Sequence, residues 1–397
     1  MTTNGSRTTV LTNIGTLVTN DPTLGEGKLG VRHDAAIVFD EGVVAWVGDS
    51  ADAPAADIGQ DIGGRALLPG FVESHSHLVF GGERAEEFAA RMAGEKYAAG
   101  GIRNTIEATR SATDEQLQAN VRRLLDESLR SGSTTVECKT GYGQNTESEL
   151  RSALIAGQFT DEVTLLAAHV PPPEYAGRVD DYVAMACDEM IPACAPHAKW
   201  IDVFCERGAF NREQAHAVLS AGVAAGLIPP RPRQSTRRRA RSSTRRRDGS
   251  RIRRSRHLRH RRGHRRPGSE FHRRNTVARC RLLHPQQVPP RRPRTAGRRR
   301  HSSSRRRLQS RHLLHHQPPV LHSNCGARHA HDTRRGSLGS HCRSARALQR
   351  TDVGTLSLGT RADAIALDAP SYLHLAYRPG VPLVREVWKN GALATSY

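Results

Sequence analysis

The chain has 397 residues, with 60 Lys and Arg against 39 Asp and Glu, a formal net charge of +21, 5% aromatic residues and seven cysteines. That length fits one large domain or two, and there is no run of about eighteen apolar residues to span a bilayer. Residues 1–9 lack the charged start and apolar core of a secretory signal, so a cytoplasmic protein with no membrane partner is expected. Cys138, Cys187, Cys194, Cys205, Cys280, Cys325 and Cys342 form no C-x-x-C pair and are odd in number. Reduced, structural thiols are expected rather than a disulfide framework or a thiolate zinc site.

Residues 9–14, 35–39 and 43–47 are short β-rich runs, with Asp40, Glu41 and Gly42 as a turn between the last two. They predict a small antiparallel sheet. Helices are predicted over residues 114–131, 146–158 and 212–222, alternating with apolar strand candidates at 134–137, 163–168 and 200–204. This alternation argues for β/α units around a parallel barrel or sheet. It dissolves at Pro229, and short strands reappear at 364–367 and 384–388. The fold class expected is α/β: an incomplete (β/α)8 barrel plus a small β-sandwich built from both chain ends. Residues 1–66 begin the sandwich and 67–228 the barrel. Residues 229–343 form an Arg-rich, disordered block, and 344–397 end the barrel and complete the sandwich.

The block has a composition of its own. Residues 229–343 hold 36 Arg, no Lys, 13 of the 20 His and three acids (Asp248, Glu270 and Asp332), a charge of +33, whereas the rest of the chain is net −12. A disordered nucleic-acid-binding segment is one reading, attracted to phosphate by counterion release. Against it stand the absence of Lys, of RGG or RS repeats and of zinc-finger spacing, and Phe271 as the single stacking aromatic. The genetic code offers another account. In a GC-rich gene a codon of form GNC often follows a C, and reading one base early turns it into CGN, which is Arg. Residues 232–236 can be encoded so that reading one base later gives His-Ala-Asn-Gln-Leu. In the same frame residues 254–256 permit Asp-His, 307–312 permit Asp-Cys-Asn-Pro-Gly, and 334–343 permit Ala-Glu-Ala-Leu-Trp-Ala-Ala-Thr-Ala-Gly. A frameshift entered near Pro229 and left near Ser344 explains all four, and no specific nucleic-acid partner is then expected.

The chemical centre is the segment 67–78, where an apolar strand runs through Pro69 and Gly70 to His75 and His77. Two imidazoles two residues apart on a strand face one side and can chelate one divalent cation; the alternative is a hydrogen-bonded pair of barrel histidines. A metal there lowers the pKa of a bound water toward neutrality. His169 follows the apolar run 163–168, where a barrel puts functional side chains. It is open to being a ligand, a substrate contact or a packed histidine. His33, His197, His216 and His374 have no such setting.

Residues 71–77 resemble the first metal motif of the amidohydrolase superfamily. Together with Gly81-Gly82-Glu83-Arg84, Lys139-Thr140-Gly141-Tyr142-Gly143 and Ala168-His169-Val170-Pro171, they resemble the imidazolonepropionase family, ring-opening hydrolases of histidine breakdown. The resemblance spans residues 1–228 and 344–397. It implies that His75 and His77 hold zinc or iron, that Arg84, Tyr142 and His169 contact the substrate, and that the protein is a homodimer. The implied reaction opens 4-imidazolone-5-propanoate to N-formimidoyl-L-glutamate.

The residue types agree with that small-molecule partner. Arg84 offers two parallel donors to a propionate carboxylate, unless it is solvated or paired with Glu83 or Glu87. Tyr142, between two glycines on a flexible turn, could reach a ring carbonyl or the carboxylate, or else cap a loop as a surface aromatic. The family also has a later metal histidine in a Val-His-Ala-Asn-Gln string, then Asp-His, then a metal aspartate opening Asp-Cys-Asn-Pro-Gly. The chain as written has none of them, so its remaining catalytic residues are unassigned and it is expected to be inactive. They are the strings the neighbouring frame permits, in the same order. Another amidohydrolase, dihydroorotase-like or guanine-deaminase-like, would share the H-x-H and the sandwich but not the Tyr142 and His169 motifs.

Overall fold

The computed structural model describes residues 7–93, 100–206, 208–230, 339–378 and 380–396. The expectation of a disordered Arg-rich block falls mainly on residues 231–338, which lie outside the described residues.

The described strands are β1 (Thr9–Val18), β2 (Val31–Asp40), β3 (Val43–Asp49), β4 (Ile58–Asp61), β5 (Ala66–Pro69), β6 (Phe71–Glu73), β7 (Ser133–Val136), β8 (Cys138–Lys139), β9 (Val163–Ala168), β10 (Trp200–Val203), β11 (Ala364–Leu367), β12 (Val384–Lys389) and β13 (Ala392–Ser396). The two chain ends meet, and they do so in one continuous eight-stranded sheet of order β13-β12-β11-β5-β1-β2-β3, with β4 also paired to β1. The sheet is mixed rather than antiparallel throughout, because β4 and β5 both run parallel to β1. Side chains alternate between its two faces. Leu67, Ala364, Ala366 and Trp388 enter one core with Leu11, Ile37 and Phe39. Their neighbours Leu68, Ile365, Leu367 and Val387 enter a second core with Phe71 and Leu375. Both faces of β5, β11 and β12 are therefore buried, and the second core joins the sheet to the first barrel strand.

The barrel part repeats strand and helix. Strand β6 pairs parallel with β7, and β8, β9 and β10 pair parallel in turn, with a further parallel bridge from Trp200 to Ile228. Helices are α1 (Ala85–Met92), α2 (Gly100–Ser111), α3 (Asp114–Arg130), α4 (Thr146–Gly157), α5 (Val179–Met185), α6 (Ile191–Cys194) and α7 (Arg212–Ala224). The three predicted helices are found within a few residues of their expected ends, for legible reasons. A Thr113–Gln116 capping box starts α3, and its buried Leu117, Val121, Leu124 and Ser128 recur every three or four residues. Asn145 caps α4, and an Asn211–Gln214 capping box starts α7.

The carboxyl-terminal segment is locked to the barrel at two places. Buried Glu162 accepts hydrogen bonds from Lys199 Nζ (2.9 Å), Trp200 Nε1 (2.8 Å) and Arg350 Nη1 (2.9 Å). Arg361 donates to the Thr134 carbonyl (3.4 Å) and the Thr135 hydroxyl of β7. Packed structure also begins before residue 344. Residues Gly339–Arg343 form a helical turn in which His341 is fully buried, stacked on Phe71 at 4.8 Å, with Nδ1–H donating to the Gly70 carbonyl at 3.2 Å. Among the described residues Cys138, Cys187, Cys194, Cys205 and Cys342 are free thiols, and no described helix is long and apolar enough to cross a membrane.

The doubly buried sheet makes a stability prediction. Ile365→Ala removes a fully buried side chain from the second core and should cost about 2–5 kcal/mol. Leu393→Ser on the half-exposed β13 should change stability by less than about 0.5 kcal/mol, both read from urea unfolding of the full chain.

Candidate active site

The site residues sit just past the carboxyl ends of neighbouring parallel strands, the end of a β/α barrel at which loops are free to carry chemistry. The chain turns after β6, and the Glu73 carboxylate accepts the His75 backbone N–H at 2.9 Å. Ser76, between the two histidines, is tied to residues 137–139 by three hydrogen bonds. Its N–H donates to Glu137 Oε2 (3.1 Å), its hydroxyl to the Glu137 carbonyl, and its own carbonyl accepts Lys139 N–H (2.8 Å). The His75 and His77 rings consequently lie 5.6 Å apart, edge to face at 77°.

Two loops singled out in the sequence converge on His77. Its ring centroid is 5.5 Å from that of Tyr142 and 5.3 Å from that of His169, which are themselves 5.3 Å apart. Phe204, beyond β10, stands edge-on to His169 at 6.0 Å. Phe80 lies 6.4 Å from Tyr142 and lines a cavity of about 400 Å³ with Gly81, Gly82 and Asn120. The Arg84 backbone N–H donates to Glu83 Oε1 at 3.0 Å, and its guanidinium is close enough to His169 to disfavour a second positive charge there. The side chain of Glu87, the other partner considered for Arg84, lies outside the described residues.

The turn that carries Tyr142 is held, not flexible, and this corrects the expectation drawn from its two glycines. Gly141 has φ +113°, and a Cβ there would stand 3.2 Å from His169 Nδ1. At Gly143 a Cβ would stand 2.6 Å from the Ser148 backbone, so Gly143 is demanded by close approach and Gly141 by its positive φ. Fully buried Glu149 accepts the N–H groups of Gly141 (2.8 Å) and Gln144 (2.7 Å). Burial pushes its carboxyl up against the opposing effect of those donors. Arg110 donates Nε–H to the Gly143 carbonyl at 2.6 Å and pairs with Glu174 at 2.7 Å, so it links the Tyr142 turn to the loop after His169. Tyr142 itself is only 9% exposed and is no surface aromatic.

His169 has one ring nitrogen committed. Its Nδ1 lies 3.0 Å from the Gly141 carbonyl; a carbonyl can only accept, so Nδ1 carries the proton and Nε2 is the acceptor of the neutral ring. Burial holds the imidazole below its ordinary pKa, opposed by that hydrogen bond and by Asp202.

A charged network beneath the histidines has no counterpart among the expected site residues. Lys139 Nζ lies 2.6 Å from Glu137 Oε1 and 3.1 Å from Asp202 Oδ2, and the Thr164 hydroxyl also donates to Glu137. Burial acts to lower the Lys139 ammonium, but Glu137 and Asp202 outweigh it and hold it above its ordinary value. The available signal was an acid and a base two residues apart on an apolar strand. Such residues share a face, and a buried face demands that they pair.

The donor set of His75 and His77 fits one borderline divalent metal, since neutral imidazoles are its natural ligands. Among the described residues no third His, Cys, Asp or Glu completes a metal-binding group with them.

No family model matches the chain. It is 58% identical over 408 residues to the imidazolonepropionase of Rhodococcus jostii (strain RHA1), covering 100% of this chain and 97% of that protein. It is 57% identical over 403 residues to the imidazolonepropionase of Nocardia farcinica (strain IFM 10152), covering 98% of each. In fold it is similar to the 5-methylcytosine deaminase of Klebsiella pneumoniae, with a TM-score of 0.51, 14% identity and 98% of each chain covered, in keeping with a (β/α)8 architecture. At such identity to curated relatives over nearly their whole length, the chain belongs to the imidazolonepropionase family.

Proposed function

We propose that this protein is built to open 4-imidazolone-5-propanoate by hydrolysis to N-formimidoyl-L-glutamate, and that Arg84, Tyr142 and His169 are its substrate contacts. The observation that carries this reading is the convergence of the His77, Tyr142 and His169 rings within 5.5 Å of one another. His75 and His77 would hold one zinc or iron ion, which when bound supplies a positive charge that acidifies water and polarises a carbonyl.

The remaining work falls to side chains of the mouth. Arg84 clamps the propionate carboxylate with paired guanidinium donors. The Tyr142 hydroxyl donates to an oxygen of the substrate. His169, with its proton committed to Gly141, presents Nε2 as an acceptor for a substrate N–H, and Phe204 and Phe80 give the planar ring apolar walls. In the net reaction water oxygen bonds to the ring carbonyl carbon, the C–N bond breaks, and the departing nitrogen takes up a proton. The new carboxylate and the formimidoyl group belong to one open chain. A cytoplasmic location and a homodimer are part of the same reading.

Residues 229–343 are, in this reading, out of frame. The relatives support it by length: the alignments take in 97–98% of the relatives and nearly all of this chain, so the basic block stands in place of family sequence and is not added to it. Two compensating shifts preserve length in that way. The layout proposed is a sandwich begun by 1–66, a barrel begun by 67–228, and an end to both supplied by 344–397. The chain as written then has two of its metal ligands and should turn over no substrate.

Two measurements test these statements. Resequencing codons 225–350 on both strands should reveal one compensating base at each end. The chain carrying the neighbouring frame should form N-formimidoyl-L-glutamate by mass spectrometry where the chain as written does not; equal activity of the two would sink the frame reading. In the restored chain Arg84→Met should raise KM about 10–100-fold, the loss expected of charge-assisted hydrogen bonds. Its kcat should stay within about threefold, and a KM left unchanged would remove Arg84 from the carboxylate site.

A further inference from the structure

We propose that Glu137 is the positioning residue of the His75–Ser76–His77 turn, setting the relative placement of the two imidazoles toward a divalent cation. The inference rests on the reading that those two histidines hold the metal. The Glu137 carboxylate bonds to Ser76, Lys139 and Thr164. It acts through Ser76, the residue between the two histidines, which has every backbone and side-chain polar group engaged with residues 137–139.

The two carboxylate oxygens have separate duties. Oε2 accepts the Ser76 N–H at 3.1 Å, while Oε1 accepts Lys139 Nζ at 2.6 Å and the Thr164 hydroxyl. Lys139 reaches on to Asp202 at the end of β10, 3.1 Å away. A line of contacts thus runs from β10 through Lys139 and Glu137 to the turn that bears both candidate ligands. Stability alone is a poor reason for this arrangement. The Lys139 and Glu137 side chains are 6% and 2% exposed, and a buried ion pair is often no more stabilising than apolar groups of the same volume. What an apolar pair cannot supply is an acceptor for the buried Ser76 N–H.

Glutamine at 137 separates positioning from charge and bulk. It keeps the shape but has one oxygen for two sets of donors. The ammonium of Lys139 claims that oxygen, so the amide NH2 faces the Ser76 N–H, donor against donor, and the turn must shift. Removing the ammonium as well, in Glu137→Gln/Lys139→Met, lets the amide oxygen return to Ser76 and the NH2 donate to the Thr164 hydroxyl. A purely structural ion pair predicts instead that Lys139→Met alone weakens metal affinity as much as Glu137→Gln, since either change leaves a buried charge unpaired; the positioning role predicts that Lys139→Met, which keeps the Oε2 acceptor of Ser76, does not.

The test is a cobalt(II) titration of the full chain by calorimetry, with His75→Ala/His77→Ala as background for sites elsewhere, together with hydrogen–deuterium exchange of the peptide covering residues 71–80. Glu137→Gln should weaken the histidine-dependent affinity about 10–100-fold, as loss of groups that orient metal ligands does, and should speed exchange at Ser76. The double variant should regain affinity to within about threefold of the unsubstituted chain and slow the exchange again. An affinity for Glu137→Gln within that same range, or a folded double variant as weak as the single, would overturn the inference. If Glu137→Gln does not fold, the double variant alone decides, since its affinity is then either regained or lost. An unsubstituted chain that binds cobalt no better than His75→Ala/His77→Ala would overturn both the metal reading and this inference.

Discussion

Two buried carboxylates turned toward backbone N–H groups hold the mouth of the barrel together. Where a strand ends, its backbone loses its ladder partners, and each buried N–H must find another acceptor. Glu137 provides one for Ser76, and Glu149 provides two for Gly141 and Gln144. The loops that carry His75, His77 and Tyr142 are therefore extensions of the strand framework. Each carboxylate is then matched by donors of its own, because an acceptor left half satisfied in a dry interior costs more than it contributes.

The opposite ends of the same strands are handled with the same chemistry for a different purpose. Glu162 gathers Lys199, Trp200 and Arg350 at the start of β9 and β10, and so fastens the carboxyl-terminal segment to the barrel. At that end the Glu162 carboxylate is turned to structural donors. Its donors saturate it, whereas at the mouth His169 keeps an acceptor nitrogen and Arg84 stands beside it. This division between a stabilising end and a reactive end is general for parallel barrels.

How much of this was legible in the sequence varies with the range of the forces involved. Helix α3 was readable because its cap and its apolar stripe are local, and β9 because six consecutive buried residues leave few alternatives. Helix α2 was not. It opens with Gly100 and Gly101 and contains Ile102, Thr105, Ile106 and Thr109, poor helix formers, and tertiary contacts hold it, such as the Gly81 N–H donated to the Thr109 hydroxyl. The H-x-H spacing announced His75 and His77, and a position after an apolar strand announced His169. Glu137 and Glu149 stayed hidden because a buried acid reads as a surface one until the fold shows it buried, as the Ser76 N–H, sixty-one residues from Glu137, does here. His341 is a sharper case: an imidazole in an Arg-rich stretch gave no local sign that it would stack on Phe71.

The pairing of β5 with β11 has a consequence for how the chain is made. Leu67 and Leu68 pair with Ala366 and Ile365, so the sheet that buries them is finished only after β11 has left the ribosome. At ordinary rates of synthesis the amino-terminal strands wait, with an apolar edge open, for a partner encoded almost three hundred codons downstream. Such pairings are slow to form and aggregation-prone meanwhile. Completion of this sheet therefore waits for synthesis of β11, and whatever shields the edge of β5 during that interval governs the yield.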